Sequence, residues 1–274
     1  MIRSLYSGVS GMKNNQTALD VIANNIANVN TPGFKSQKVA FEDLMSQTIS
    51  NATTSSDTSL GANASQVGVG STVSGIASNF SQGISQTTER DLDLAINGNG
   101  FFVVQDINGR VYYTRDGAFE FDSDGYLVNR NGYRVLSNDG STIQITDTIS
   151  SVTVDSSGLL TALDEEGNAV SGSGVNLGVA YILNPESLIR EGGNLYSKSA
   201  STRVDPDASD TDFGIDIAGN GGRGTVLSHR LEASNVDLTT EFSDMIVTQR
   251  AYQANARVIT TSDTMLEELI NLKR

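Results

Sequence analysis

Residues 2–29, IRSLYSGVSGMKNNQTALDVIANNIANV, carry apolar side chains at Ile2, Leu5, Val9, Met12, Leu19, Ile22 (or Ala23) and Ile26. Steps of three and four of this kind mark a narrow helical seam. The other end of the chain repeats the pattern at Leu238, Phe242, Met245, Tyr252, Ala256, Ile259, Leu266 and Ile270. Everything between reads as strand, turn or loop. The predicted fold class is therefore α+β, with N- and C-terminal helices forming a coiled-coil-like pair and a mainly antiparallel β-domain between them. Two lone helices at opposite ends have one economical use: they pair with each other and then with copies of themselves. That is the layout of an assembling subunit rather than of a catalyst. The assembly residues it singles out are Leu5, Val9, Met12, Leu19, Ile22, Ile26, Leu238, Phe242, Met245, Tyr252, Ile259, Leu266 and Ile270.

The spacing predicts a first helix from Ile2 to Val29, stopped by Asn30-Thr31-Pro32-Gly33. At ~1.5 Å per residue it would be about 40 Å long. Its outer faces carry Asn14, Asn15, Gln16, Asn24, Asn25 and Asn28 where a solvated helix normally shows Lys and Glu. Asn is a poor helix former, so these faces are expected to be buried against other chains, where amides cross-bond and an unpaired charge would be costly. The last helix is expected to begin near Ser234-Asn235-Val236-Asp237, with Asn235 or Asp237 as its cap and Glu241 favouring the helix dipole. Gln249 and Asp263 interrupt its seam with polar groups that can fix register.

The chain has 274 residues, 38% hydrophobic and 6% aromatic, with no Trp and no Cys. That lean composition suits modest β-domains with extended parts, and it excludes disulfides and Cys-based metal sites. Net charge is −14 and unevenly spread. Residues 1–50 hold 4 basic and 3 acidic side chains, residues 226–274 hold 5 and 7, and residues 51–225 hold 9 and 22. An acidic middle excludes nucleic acid as a partner, since phosphates call for Lys and Arg. No window approaches the ~18 apolar residues of a membrane span, so no membrane insertion is expected. Arg3 is followed by Tyr6, Ser7, Gly8 and Ser10 rather than an apolar run, so export without a cleavable signal peptide is expected.

The β reading is clearest over residues 92–136. Phe101-Phe102-Val103-Val104, Arg110-Val111-Tyr112-Tyr113, Ala118-Phe119-Glu120-Phe121, Tyr126-Leu127-Val128 and Tyr133-Arg134-Val135-Leu136 alternate with Asn108-Gly109, Asp116-Gly117, Asp124-Gly125 and Asn131-Gly132. Such dipeptides suit two-residue hairpin turns. Further strands are expected at 143–145, 152–154, 159–163 and 175–183, and a first one across Val67–Ile76. Residues 39–49 read as a short helix or strand, and 46–65 as a Ser/Thr/Asn/Gly linker. The expected division is a helix of an inner domain at 1–33, a linker or intermediate layer at 34–70, an outer β-domain at 71–225, and a helix returning to the inner domain at 226–274.

Site chemistry is sparse. His229 stands alone, with no nucleophile elbow to serve it, and one His without Cys serves zinc poorly. Glu120-Phe-Asp122-Ser-Asp124-Gly125 imitates a calcium loop, but its twelfth position is Asn131, not Glu. Asn97-Gly98-Asn99-Gly100 lacks the Gly-Lys-Ser/Thr of a phosphate loop. No catalytic, cofactor-binding or metal residues are expected, and no cofactor.

Several stretches together resemble the axial proteins of the bacterial flagellum, the rod and hook family. They are Ser4-Leu5-Tyr6-Ser7-Gly8 with Gly11-Met12, Asp20 through Lys35 (DVIANNIANVNTPGFK), Asp93 through Phe102 (DLAINGNGFF), Tyr113-Thr114-Arg115-Asp116-Gly117, Leu231 through Asp237 (LEASNVD), and Gln249 through Ala256 (QRAYQANA). Within the family, the run Gln82–Asp93 and the close Ala254–Leu269 look more like a short hook protein. The resemblance implies a structural subunit of the extracellular hook and basal body, not an enzyme. Its terminal helices would form an inner tube around an export channel, with the β-domain outside. The implied partners are copies of itself in a helical homopolymer, the adjoining rod, hook-cap and hook–filament junction proteins, and the flagellar export apparatus. The distal rod, a stiff drive shaft, is the second reading. A secreted β-rich adhesin or hydrolase with oligomerisation helices is the alternative from another class.

Overall fold

The computed structural model describes residues 2–52, 61, 63–146, 150–166, 168–170, 172–206, 208 and 212–272. Two helices flank a series of antiparallel strands: α1 spans Ile2–Ala27 and α2 spans Leu238–Leu272. The fold class is α+β. α1 stops two residues earlier than its apolar pattern suggests. Past Ala27 the chain turns, with Thr31 N–H donating to Asn28 O at 3.1 Å, and Pro32 and Gly33 (φ 68°) prevent any further helical turn. At α2 the cap is Asp237, whose Oδ1 accepts Thr239 N–H at 3.0 Å and whose Oδ2 accepts the Thr240 hydroxyl at 2.8 Å. Those bonds hold the Asp237 carboxyl below its ordinary pKa.

The residues group into two compact units. The helical unit comprises Met1–Ala27, Gln37–Ser78 and Asp237–Arg274. Beside its helices it holds a β-ribbon: Gln37–Asp43 pairs with Ser71–Ser78, and Ser46–Ser50 pairs with Ser65–Gly68. The stretch read as a linker thus begins and ends in paired strand, while 53–60 and 62 lie outside the described residues.

The β unit comprises Asn28–Ser36 and Asn79–Val236. The strand Phe101–Gln105 is central to its largest sheet, paired with Val111–Thr114, Arg134–Val135 and Val179–Ala180. Its alternation divides the core. Phe102 and Val104 point into a cluster with Leu94, Phe119, Leu127 and Leu160. Phe101 and Val103 point into another with Tyr113, Ile182, Tyr196 and Ile215. The 143–145 stretch forms only an isolated bridge from Gln144 to Tyr126, although Ile143 and Ile145 are buried.

The Asn-Gly and Asp-Gly turns differ from expectation. Gly109, Gly125 and Gly132 have φ of 80°, 78° and 80°, whereas Asn108, Asp124 and Asn131 do not adopt positive φ. Asp106 N–H donates to Arg110 O and Gly109 N–H to Asp106 O, and the same pair of bonds recurs at 122–126 and 129–133. These are three-residue loops, a type I turn closed by a left-handed glycine, rather than two-residue turns. Side chains select this form: Asn129 Oδ1, for example, accepts both Asn131 N–H and Tyr133 N–H at 3.0 Å. Asp116-Gly117 is not a hairpin at all. Gly117 is there because a side chain would strike the carbonyl of Leu94.

Candidate assembly interface

The two helices of the helical unit run antiparallel in one register. Ser4 Oγ lies 3.5 Å from Ser262 Oγ, and Asn25 Nδ2 donates to Glu241 Oε1 at 3.1 Å. Between these points two glycines of α1 lie against α2. A methyl on Gly8 would sit 3.2 Å from Ile259 Cγ1, and one on Gly11 would sit 2.6 Å from Asn255 Nδ2. Gly8 and Ala18 are buried. Small residues let the helix axes approach at Gly8 and Gly11, and Ser and amide side chains join the pair towards its ends.

Two amides that sequence reasoning assigned to contacts with other chains are satisfied within this one. Asn25, buried, donates through Nδ2 to Gln37 O at 2.9 Å and accepts Gln37 N–H at 3.0 Å, so it copies a strand partner for the start of the ribbon. Asn14 Nδ2 donates to Ser71 Oγ at 2.8 Å. A charged side chain could not supply both a donor and an acceptor at Asn25. Burial raises the pKa of Glu241 opposite it, against the pull of the Asn25 amide.

The sequence-selected seam residues divide by exposure. Leu5, Met12, Leu19, Ile22, Ile26, Met245, Ile259 and Leu266 are half-buried, whereas Val9, Leu238, Phe242, Tyr252 and Ile270 are exposed. Of these, Ile259 is seated over Gly8. A further apolar set was not singled out: Ile246, Val247, Val258, Met265, Leu269 and Leu272 are also exposed, Val247 at 67%. Its signal was legible, since Val247, Ala251, Ala254, Val258, Thr261 and Met265 step by four and three. α2 therefore carries more apolar surface than α1 covers. Exposed apolar side chains in this number mark an interaction surface.

A second polar construction lies inside the β unit. Glu232, from the strand Arg230–Glu232, accepts Lys35 Nζ at 2.6 Å, Gly83 N–H at 2.9 Å and Arg115 NH1 at 3.1 Å. All three charged side chains are at least 96% buried. Lys35 also donates to Ser81 O at 2.8 Å, and Arg115 NH2 donates to Gly98 O at 2.8 Å. Burial holds Lys35 below its ordinary pKa, while Glu232 pulls the other way. The adjoining Phe34 is 1% exposed, its ring stacked under the Arg190 guanidinium at 4.9 Å. Gly33 is needed because a side chain there would come within 2.6 Å of Asp116 N. Thr31-Pro32-Gly33-Phe34-Lys35 is thus more than a helix breaker. It is a plug fastened into the β unit at its charged end. Asn235 fastens the same region: its Oδ1 accepts Ser36 N–H and its Nδ2 donates to Asn79 O, both at 2.8 Å. Lys35, Arg115 and Glu232 stood in the sequence only within the stretches that carry the resemblance, and their mutual contact had no local signal.

His229 Nε2 pairs with Asp91 Oδ1 at 2.8 Å on the surface. Among the described residues no cluster of His, Asp and Glu could hold a metal ion, and no helix is long and apolar enough to cross a membrane.

Three family models match the chain: "Flagella basal body rod protein" over residues 5–35, "Flagellar hook protein FlgE/F/G D1 domain" over 95–162, and "Flagellar basal body rod FlgEFG protein C-terminal" over 227–272. The flagellar basal-body rod protein FlgG of Bacillus subtilis (strain 168) is 46% identical over 274 residues, covering all of both chains. FlgG of Borreliella burgdorferi is 36% identical over 278 residues, again covering both chains in full. The flagellar hook protein FlgE of Borreliella burgdorferi is 51% identical over 136 residues, which are 49% of this chain and 30% of that one. The chain belongs to the flagellar rod and hook family, and it is a structural protein rather than an enzyme. The hook assignment drawn from Gln82–Asp93 and Ala254–Leu269 is less well supported than the rod, because the rod proteins match from end to end and the hook protein matches in part.

Proposed function

We propose that the chain is a subunit of the flagellar distal rod, which self-assembles into a hollow shaft. The observation that carries this is the number of exposed apolar side chains along α2, among them Phe242, Val258 and Leu272. The end-to-end similarity to rod proteins supports the choice within the family. In the shaft, the two terminal helices, Ile2–Ala27 and Leu238–Leu272, line an inner tube, the ribbon of residues 37–78 forms an intermediate layer, and the β unit faces outward. Leu5, Val9, Met12, Leu19, Ile22, Ile26, Leu238, Phe242, Met245, Tyr252, Ile259, Leu266 and Ile270, together with Ile246, Val247, Val258, Met265 and Leu269, meet neighbouring copies. The other partners are adjoining axial proteins and the export apparatus that delivers the subunit. The acidic outer surface keeps the shaft soluble and free of lateral association.

The test is assembly of purified protein followed by electron microscopy. Straight, stiff tubes are expected. Curved, flexible tubes would return the protein to the hook, and failure to form tubes at any concentration would refute both.

A further inference from the structure

We propose that a pocket in the β unit beside Arg115 receives an acidic side chain from a second copy of this chain. The pocket measures about 140 Å³ and is bounded by Phe80, Phe101, Tyr181, Leu183 and the turn residue Asn99, with Arg115 as its one charged lining residue. This inference rests on the self-assembly proposed above.

Counting charge across the buried cluster locates the need. Lys35 and Arg115 share the single carboxylate of Glu232, so this cluster of three carries one net positive charge, although the buried charged side chains of the unit balance once Asp93, Asp216 and Arg223 are counted. Buried charge is ordinarily paired, because its desolvation is otherwise uncompensated. Lys35 is bonded to Glu232 and to Ser81 O. Arg115 is less completely served. NH1 and NH2 reach Glu232 and Gly98 O, while Nε is buried without a hydrogen-bond partner. Its guanidinium lies 5.3 Å from the centroid of the Phe101 ring, which is itself a wall of the pocket. Arg115, the incompletely bonded cation of the cluster, is therefore placed next to the cavity.

The chemistry that fits is a carboxylate on a short hydrocarbon stem. Guanidinium and carboxylate match in geometry and charge, and the Phe80, Phe101 and Leu183 walls suit methylenes. A field effect needs no rearrangement, while a bond to Nε needs a small shift of the side chain, since that atom is closed to solvent. The supply is abundant on the molecule itself, with 22 acidic against 9 basic residues over 51–225. The Asn97-Gly98-Asn99-Gly100 turn, too poor in cations to hold phosphate, has its explanation here. Gly98 (φ 112°) presents its carbonyl to Arg115, and Gly100 (φ 135°) lines the pocket where a side chain would come within 2.6 Å of Val179 Cγ1.

Asn99 is exposed, so Asn99→Asp leaves the fold intact and places an intramolecular carboxylate at the pocket. Its expected effect is a monomer melting temperature at or above wild type and an assembly concentration raised by about tenfold or more, the scale of a lost interfacial charge contact. Asn99→Gln is expected to assemble normally, and Leu183→Trp, which fills the mouth, should impair assembly as Asn99→Asp does. In the monomer, propionate but not propionamide should shift the Arg115 Nε–H resonance, with weak affinity, and Asn99→Asp should abolish the shift. Normal assembly of both Asn99→Asp and Leu183→Trp would overturn the proposal, as would equal responses to propionate and propionamide. Micromolar propionate binding with assembly unaffected would reassign the pocket to a free anion and also overturn it. If wild-type protein forms no tubes, the rod reading falls while the propionate arm still decides the pocket.

Discussion

Replacing Glu232 by Gln removes the only negative charge of the buried cluster and keeps its shape. The wild-type carboxylate accepts three donors, Lys35 Nζ, Gly83 N–H and Arg115 NH1, and its side chain is 1% exposed. A glutamine has one acceptor oxygen, so its NH2 must face either the lysine or the arginine, donor against donor. Removing one partner of a buried ion pair costs about 3–5 kcal/mol, most of it from the charge left behind. For a domain of roughly 150–250 residues each kcal/mol lowers Tm by about 2–4 °C. The β unit should therefore melt about 6–20 °C lower, read by near-UV circular dichroism on purified monomer. The comparison is Glu120→Gln, whose ion pair with Arg90 at 2.9 Å is about half exposed and should contribute less than about 1 kcal/mol. If Glu232→Gln proves no more costly than Glu120→Gln, the plug of residues 31–35 does not depend on this cluster and the reasoning fails.

Gly11→Leu should open the helical pair, since even a methyl would stand 2.6 Å from Asn255 Nδ2. Overpacking of this kind costs about 1–3 kcal/mol, seen as faster proteolysis of both ends, and Asn255→Ala should restore part of the protection. Asp116 has its pKa raised, chiefly by burial, so the folded protein binds more protons than the unfolded one between the ordinary aspartate range and the raised value. Its contribution is thus present at low pH and lost as pH rises through that window. Asp116→Asn should gain stability relative to wild type on going from pH 3 to pH 7, and a gain in the opposite direction would contradict the burial. Leu266→Asp, on the half-buried face of α2, should prevent tube formation without lowering the Tm of the β unit. Tubes formed at wild-type rates would remove α2 from the assembly surface.

Periodicity alone settled that both ends are helical and that strands lie between them, because a 3.6-residue repeat and a two-residue repeat are local properties of the chain. The terminal motifs likewise pointed to the family before any contact was visible. What local pattern could not decide was which side of each helix meets which partner. The apolar positions gave no hint of the contacts that join Ser4 to Ser262, seat Ile259 over Gly8, bring Asn255 against Gly11 and bond Asn25 to Glu241. Small residues carry no hydrophobic signal, and their value appears only when a second backbone comes close. The same limit hid the cluster of Lys35, Arg115 and Glu232. Each is an ordinary charged residue in sequence, and only the tertiary fold brings positions so far apart within hydrogen-bond reach and removes them from water. Asn108-Gly109 and its relatives were legible as turns, yet the choice of a three-residue loop was made by the strand register and by side chains such as Asn129 bonding back to the loop. Local sequence specified the elements. The pairing of distant polar groups, whose strength comes from exclusion of water, was specified only by the folded whole.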